Sequence, residues 1–286
     1  MIELNDVSYA YPDTDHFVLS HMNLSIPAGS VTGIVGASSS GKTTLAKIIS
    51  GFIPHVDGGE LTGTVVVDGV TIADATLADA VSHVGLVIQS PFNQISGAKF
   101  TVREELAFGL ENLGTPREEM AERVNEMAEL LSIGDLLDRS PYALSGGQQQ
   151  LVAIASIIIM RTPVLVMDEP TSQLDPGGTR MVFDVMSKLR DTGVTIVIFE
   201  HKLELLREHT DRVHVLADHQ LLIAEGPSRT MLTDSRLEEW GVGTTRFTAA
   251  AKTARDRGLL ASDTELPVSL TDAVSTFASY RNTKGA

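Results

Sequence analysis

Hydrophobic and polar positions fall into two rhythms along the chain. In the opening third, short apolar or alternating runs broken by turn residues predict strands at Ile2 to Val7, Asn23 to Ile26, Val31 to Val35, Val65 to Val67 and His83 to Ile88, with one helix, Lys42 to Ser50, among them. The middle turns helical. Val102 to Asn112 and Pro116 to Leu131 both carry apolar residues at helical spacing, and Pro116 stands where a first turn tolerates proline. From Gly146 the order becomes helix, strand, helix, strand, and the near-continuous apolar runs Val164 to Met167 and Thr195 to Phe199 suit central strands of a parallel sheet. A hairpin is expected between Val213 to Leu216 and Leu221 to Ala224. Gly226 and Pro227 then read as a break before a tail with two helices, Arg246 to Asp256 and Leu270 to Tyr280, the second opened by Ser269 and Asp272 in capping-box spacing. The pattern predicts an α/β domain over residues 1–226 with a helical insert at about 90–160, and a helical appendage over 227–286.

Composition narrows what such a chain can do. With 286 residues it has length for one large domain and an appendage, and 43% hydrophobic with 21% charged content is that of a folded protein. Its 37 acidic against 22 basic residues give a formal charge of -15, which offers no broad footprint for nucleic acid or an anionic membrane surface. Phosphate binding therefore has to come from a local site. The chain has no cysteine, which removes disulfides and thiolate metal sites. Met1 to Asp6 lacks the basic-then-apolar pattern of a signal peptide, and the most apolar stretch, Leu151 to Met167, is interrupted by Arg161 and Pro163, so no membrane span is expected. The eight histidines show no compact ligand spacing beyond His214 and His219, which speaks against direct metal binding.

That local site is visible in Gly36-Ala37-Ser38-Ser39-Ser40-Gly41-Lys42-Thr43, followed by Thr44. The run lies between an apolar strand and a helix, as a phosphate-binding loop requires. Small residues let backbone N–H groups curl around phosphates, the helix N-terminus adds positive potential, Lys42 reaches the β and γ phosphates, and Thr43 is placed to ligate Mg²⁺. A second acidic site follows from Val164-Leu165-Val166-Met167-Asp168-Glu169, an apolar strand that delivers Asp168 to the metal and Glu169 to an attacking water. A phosphate cradle alone would serve a GTPase, a kinase or an ATPase; with the acidic strand end beside it the pair reads as an ATPase site, with ATP and Mg²⁺ as the expected cofactors.

Leu144-Ser145-Gly146-Gly147-Gln148 resembles the signature motif of ABC ATPases, and it precedes the acidic strand as in that family. Read physically, Ser145 and two glycines open an apolar helix and make a second N-terminus suited to phosphate. Other segments resemble the family in order and spacing: Gln89 its Q-loop, which supplies a further Mg²⁺ ligand, Ser172-Gln173-Leu174-Asp175 its D-loop, His201 its switch histidine, and Tyr11 its adenine-stacking aromatic. The resemblance implies a P-loop fold with a RecA-like core, an antiparallel β subdomain and a helical insert. It also implies a head-to-tail pair of ATPase subunits, identical or not, in which Ser145, Gly146, Gly147 and Gln148 of one copy complete the ATP site of the other. Two residues depart from the family: Ser39 stands at a usual glycine and Leu151 at a usual arginine. If position 39 needs positive φ, a side chain there carries strain that glycine avoids.

Within the family, Gln89 to Gln94, Phe108 to Asn112 and the tail from Val242 to Tyr280 are similar to the energy-coupling factor (ECF) branch of importers. That similarity implies an integral transmembrane coupling protein and a small membrane-embedded substrate-capture subunit as partners. It implies a peripheral position on the cytoplasmic face of the membrane, and import of a vitamin or transition-metal ion. The alternatives are the ATPase of another ABC transporter type, or a soluble ABC protein acting on nucleic acid or ribosomes. The short helices between the phosphate loop and the signature leave no room for the long coiled coils of DNA-organising relatives.

Overall fold

The computed structural model describes residues 1–217 and 221–283, so the turn of the last hairpin and His219 lie outside the described residues. The strands are β1 (Ile2–Ala10), β2 (Leu19–Ile26), β3 (Val31–Gly36), β4 (Glu60–Val67), β5 (Val70–Thr71), β6 (Val84–Val87), β7 (Val164–Asp168), β8 (Thr195–Phe199), β9 (Arg212–Ala217) and β10 (Leu221–Pro227). The helices are α1 (Lys42–Ile49), α2 (Phe52–His55), α3 (Leu77–His83), α4 (Pro91–Gln94), α5 (Val102–Asn112), α6 (Arg117–Leu130), α7 (Gly146–Ile158), α8 (Pro176–Asp191), α9 (Leu203–His209), α10 (Ser228–Met231), α11 (Arg246–Asp256) and α12 (Leu270–Thr283).

Two sheets share these strands. One is antiparallel, ordered β2-β1-β4-β5, and the other runs β10-β9-β3-β8-β7-β6, parallel except for β10. The alternation of a strand sorts its side chains between two cores. On β7, Val164 and Val166 face the core shared with the antiparallel sheet and α1, whereas Leu165 and Met167 face the one shared with the helical insert and α8. Both faces of the parallel strands are covered, which is why they read as unbroken apolar runs. The expected α/β architecture, with its antiparallel subdomain and helical insert, is the observed one.

Several element ends are set by side-chain caps. Thr101 with Glu104 and Ser145 with Gln148 form reciprocal capping boxes at α5 and α7, and Ser269 with Asp272 does the same at α12. One boundary differs from expectation: His83 closes α3, whose Thr76–Asp79 capping box holds the chain helical up to the start of β6. Gly226 and Pro227 form the last rungs of β10, paired with Val213 and Arg212. Proline is tolerated there because β10 is an edge strand. Beyond it, Met231, Leu232, Leu237 and Val268 join the same apolar core as Phe183, Leu206 and Val213. Arg207 of α9 holds Asp272 at 2.9 Å, and Arg229 pairs with Glu265. Among the described residues, no helix is long and apolar enough to cross a membrane.

Candidate active site

Four neighbouring parallel strands, β3, β8, β7 and β6, end at the same edge, and the residues that follow their carboxyl ends meet there. After β3 the chain turns through residues 37–41 into α1. Ser39 takes a left-handed φ of 64° and Gly41 one of 91°, so position 39 does have the conformation in which a Cβ is strained. At Gly36 a Cβ would stand 2.3 Å from the Leu216 carbonyl oxygen and 2.5 Å from Ser40 Oγ, so only glycine fits. Lys42, 6% exposed, folds back over the loop and donates through Nζ to the carbonyls of Gly36 (2.9 Å) and Ala37 (2.7 Å). Burial lowers the Lys42 pKa, against the pull of Glu169 and Asp168. Among the described residues, Ser40 Oγ is buried with no hydrogen-bond partner.

From β7, Asp168 reaches the start of α1, where Thr43 Oγ1 donates to its Oδ2 at 2.7 Å. Burial raises the Asp168 pKa, while the Thr43 hydrogen bond and Lys42 oppose the rise. A hydroxyl and a carboxylate side by side are hard oxygen donors of the kind that suit Mg²⁺, so these two residues fit that ion. Gln89 is turned elsewhere, donating through Nε2 to Glu169 Oε2 at 2.8 Å. The other carboxylate oxygen of Glu169, Oε1, lies 2.8 Å from His201 Nε2. Glu169 is thus flanked by residues delivered from β6 and β8.

Ser38, Ser39, Gly41, Lys42, Thr43, Thr44, Gln89, Glu169 and His201 line one cavity of about 620 Å³, joined by His16 and Val18. Those last two were missed from the sequence because they lie between β1 and β2, in a stretch without motif or period. Tyr11 stays outside that lining. Its ring packs edge-on to Tyr9, with centroids 4.9 Å apart, and its hydroxyl lies 3.1 Å from Thr44 Oγ1. Ser145, Gly146, Gly147 and Gln148 do not line the cavity either; they open α7, with Ser145 and Gly146 exposed. Close beside them is Gln173, whose Oε1 would lie 3.5 Å from a Cβ on Gly146. Asp175 caps α8 by accepting from Gly178 N at 2.7 Å. Also missed were Thr171 and Glu200, two buried polar residues behind the site.

Residues 19–172 match the model of the ABC transporter family. A protein of Pyrococcus horikoshii that carries the provisional name ABC transporter ATP-binding protein is 41% identical over 227 residues, 79% of each chain. The energy-coupling factor transporter ATP-binding protein EcfA1 of Lactobacillus acidophilus is 36% identical over 243 residues, 84% of each chain. Among solved structures, cbiO1 of Clostridium perfringens, described as part of the ABC transporter complex cbiONQ, superposes with a TM-score of 0.71 at 27% identity, over 83% of this chain and 92% of that one. With a phosphate loop, an acidic strand end and a flanked carboxylate meeting at one sheet edge, the chain belongs to the ABC transporter family as one of its ATP-binding, ATP-hydrolysing cassettes.

Proposed function

We propose that this chain is the ATP-hydrolysing subunit of an ECF-type ABC importer, powering uptake of a vitamin or transition-metal ion through separate membrane subunits. The observation that carries the catalytic part is Glu169, held between Gln89 and His201 next to Lys42, Thr43 and Asp168. In this reading the triphosphate lies along residues 36–44, Lys42 turns from the loop carbonyls to the phosphates, and adenine rests on Tyr11. Thr43, Asp168 and Gln89 would hold Mg²⁺, which supplies charge neutralisation between the phosphates when bound. Glu169 orients and deprotonates the attacking water, and His201 senses the γ-phosphate.

Ser145, Gly146, Gly147 and Gln148 serve the site of a second ATPase subunit rather than their own, which is consistent with an exposed helix N-terminus outside the cavity. Asp175 belongs to the same contact. Exposed aromatics on the helical insert, Phe92 at 62%, Phe100 at 86% and Tyr142 at 50%, give a surface for the transmembrane coupling protein. Residues 227–286 are read as an appendage for docking or dimerisation, with Leu270 and Val274 exposed one turn apart on α12. The likeness to EcfA1 and cbiO1 supports the ECF reading, in which the chain would sit at the cytoplasmic face of the membrane.

Two experiments test this. Glu169→Gln is expected to bind ATP and accumulate as a nucleotide-bound dimer with hydrolysis reduced by about 100-fold or more, the range lost when a general base is removed; turnover at the unmodified rate refutes the role of Glu169. Purification from detergent-solubilised native membranes, followed by mass spectrometry, is expected to recover a coupling protein and a small multi-spanning capture subunit. Recovery of a conventional permease instead moves the chain to another ABC transporter type.

A further inference from the structure

Behind the cavity lies a polar network that the proposed chemistry does not use. Glu200, the residue after β8, is 3% exposed and Thr171, two residues past Glu169, is fully buried. A buried carboxylate is costly unless its oxygens are hydrogen-bonded, and here they are. Glu200 Oε1 accepts from the backbone N–H groups of His201 (3.1 Å) and Lys202 (3.2 Å), and Oε2 accepts from the Thr171 hydroxyl (2.8 Å). Lys202 Nζ closes the circuit by donating to Thr171 O (3.0 Å) and Oγ1 (2.9 Å). An ammonium only donates, so the single hydroxyl proton of Thr171 must point at Glu200. Every donor in the circuit therefore has one direction.

The circuit joins two loops that leave adjacent strands. The loop after β7 carries Glu169 and Thr171; the loop after β8 carries Glu200, His201 and Lys202. Their strands are in register at Asp168 and Phe199, and Glu200 N also reaches Ile34 O of β3 at 3.4 Å. Glu200 itself is absent from the cavity lining, so any effect it has on hydrolysis must pass through its neighbours. We propose that Glu200 is a positioning residue for His201, tied through Thr171 to the Glu169 loop so that the two loops move as one body and His201 keeps its 2.8 Å approach to Glu169. The inference rests on the reading of His201 as a participant in hydrolysis.

The test is a double-mutant cycle on the full chain, read by single-turnover hydrolysis of radiolabelled ATP and by equilibrium ATP binding. His201→Ala comes first: a rate equal to the unmodified protein overturns the reading of His201 itself. With that reading standing, Glu200→Gln is expected to slow hydrolysis by about tenfold, as a misplaced catalytic group does, with ATP affinity changed by less than about twofold. Added to His201→Ala, the same change should cost less than about twofold more, because a residue acting through His201 loses its effect when His201 is gone. Amide hydrogen exchange at residues 201–202 should speed up by about tenfold or more in Glu200→Gln, reporting the weakened backbone anchors. Thr171→Val should reproduce the slow phenotype and Thr171→Ser restore it, and Thr171→Val decides the matter if Glu200→Gln does not fold. Equal losses with and without His201, or unchanged exchange at residues 201–202, overturn the proposal.

Discussion

His214 gives a prediction whose size can be worked out from burial. It lies on β9 between β3 and β10, paired with Ile34 on one side and Glu225 on the other, and Ile34 is two residues from the phosphate loop. The ring is 0% exposed. Its Nδ1 comes within 3.1 Å of Glu225 Oε2, yet among the described residues neither ring nitrogen has a hydrogen-bonding partner. Burial pushes the pKa from 6.5 down to about 4, with Glu225 opposing the shift and Arg212 adding to it. The sign follows directly. Between pH 4 and 6.5 the unfolded chain binds a proton here that the folded chain refuses, so stability rises with pH. The contribution is complete above 6.5 and is lost as the pH falls through about 4. One pH unit is worth about 1.4 kcal/mol, so the full contribution is about 3 kcal/mol, of which about 2 kcal/mol is gone by pH 5. For a chain of this size that corresponds to roughly 3 °C in Tm. Thermal unfolding at about pH 7.5 and at pH 5, for the natural protein and for His214→Gln, isolates this share from all other titrating groups. The natural protein should lose about 3 °C more than the variant across that interval. Equal losses, or a His214 resonance titrating near 6.5 in the folded protein, would refute the reasoning.

Two further predictions concern the backbone and the tail. Ser39→Gly removes a left-handed strain of about 1–2 kcal/mol and adds about 0.5–1 kcal/mol of unfolded-chain entropy, so a net stabilisation of about 0.5–1 kcal/mol is expected in denaturant titration. A destabilised variant would mean that the serine side chain contributes more than its strain. Deleting residues 228–286 withdraws Met231, Leu232, Leu237 and Val268 from the larger core. At about 1.5–3 kcal/mol for each buried apolar side chain, the shortened protein should melt many degrees lower and be cut rapidly in limited proteolysis; unchanged melting would show that the tail core is dispensable.

What the sequence disclosed about this site depended on how local the signal was. The phosphate loop and the Asp168–Glu169 strand end were legible because strand, turn and helix must follow one another within a few residues. The strain at Ser39 was legible for the same reason, since a serine at a usual glycine position raises the question of φ. The contacts of Glu169 were not. Gln89 is 80 residues away, and only the sheet order β8-β7-β6 brings it and His201 to opposite oxygens of one carboxylate. Glu200 and Thr171 were illegible for another reason: an acidic and a hydroxyl residue after apolar strands look like solvated turn residues until the fold buries them. The last strand runs past its expected end at Ala224 to Pro227 for a third reason, because an edge strand accommodates a proline that a central strand would not.

The flanking of Glu169 has a consequence for fuel economy. Each of its oxygens already accepts from, or lies against, a side chain that rides on a different strand. A carboxylate has about four acceptor positions on its two oxygens, so on the proposed assignment a water can still reach Glu169 while Gln89 and His201 keep their places. An ATPase surrounded by abundant nucleotide, left unrestrained, would consume it whenever a molecule bound, with no work done. If Glu169 is the base, as proposed, contacts from two neighbouring strands tie consumption to a mechanical condition, the placement of the loops after β6 and β8. In that reading, idling is held back by geometry rather than by scarcity of ATP.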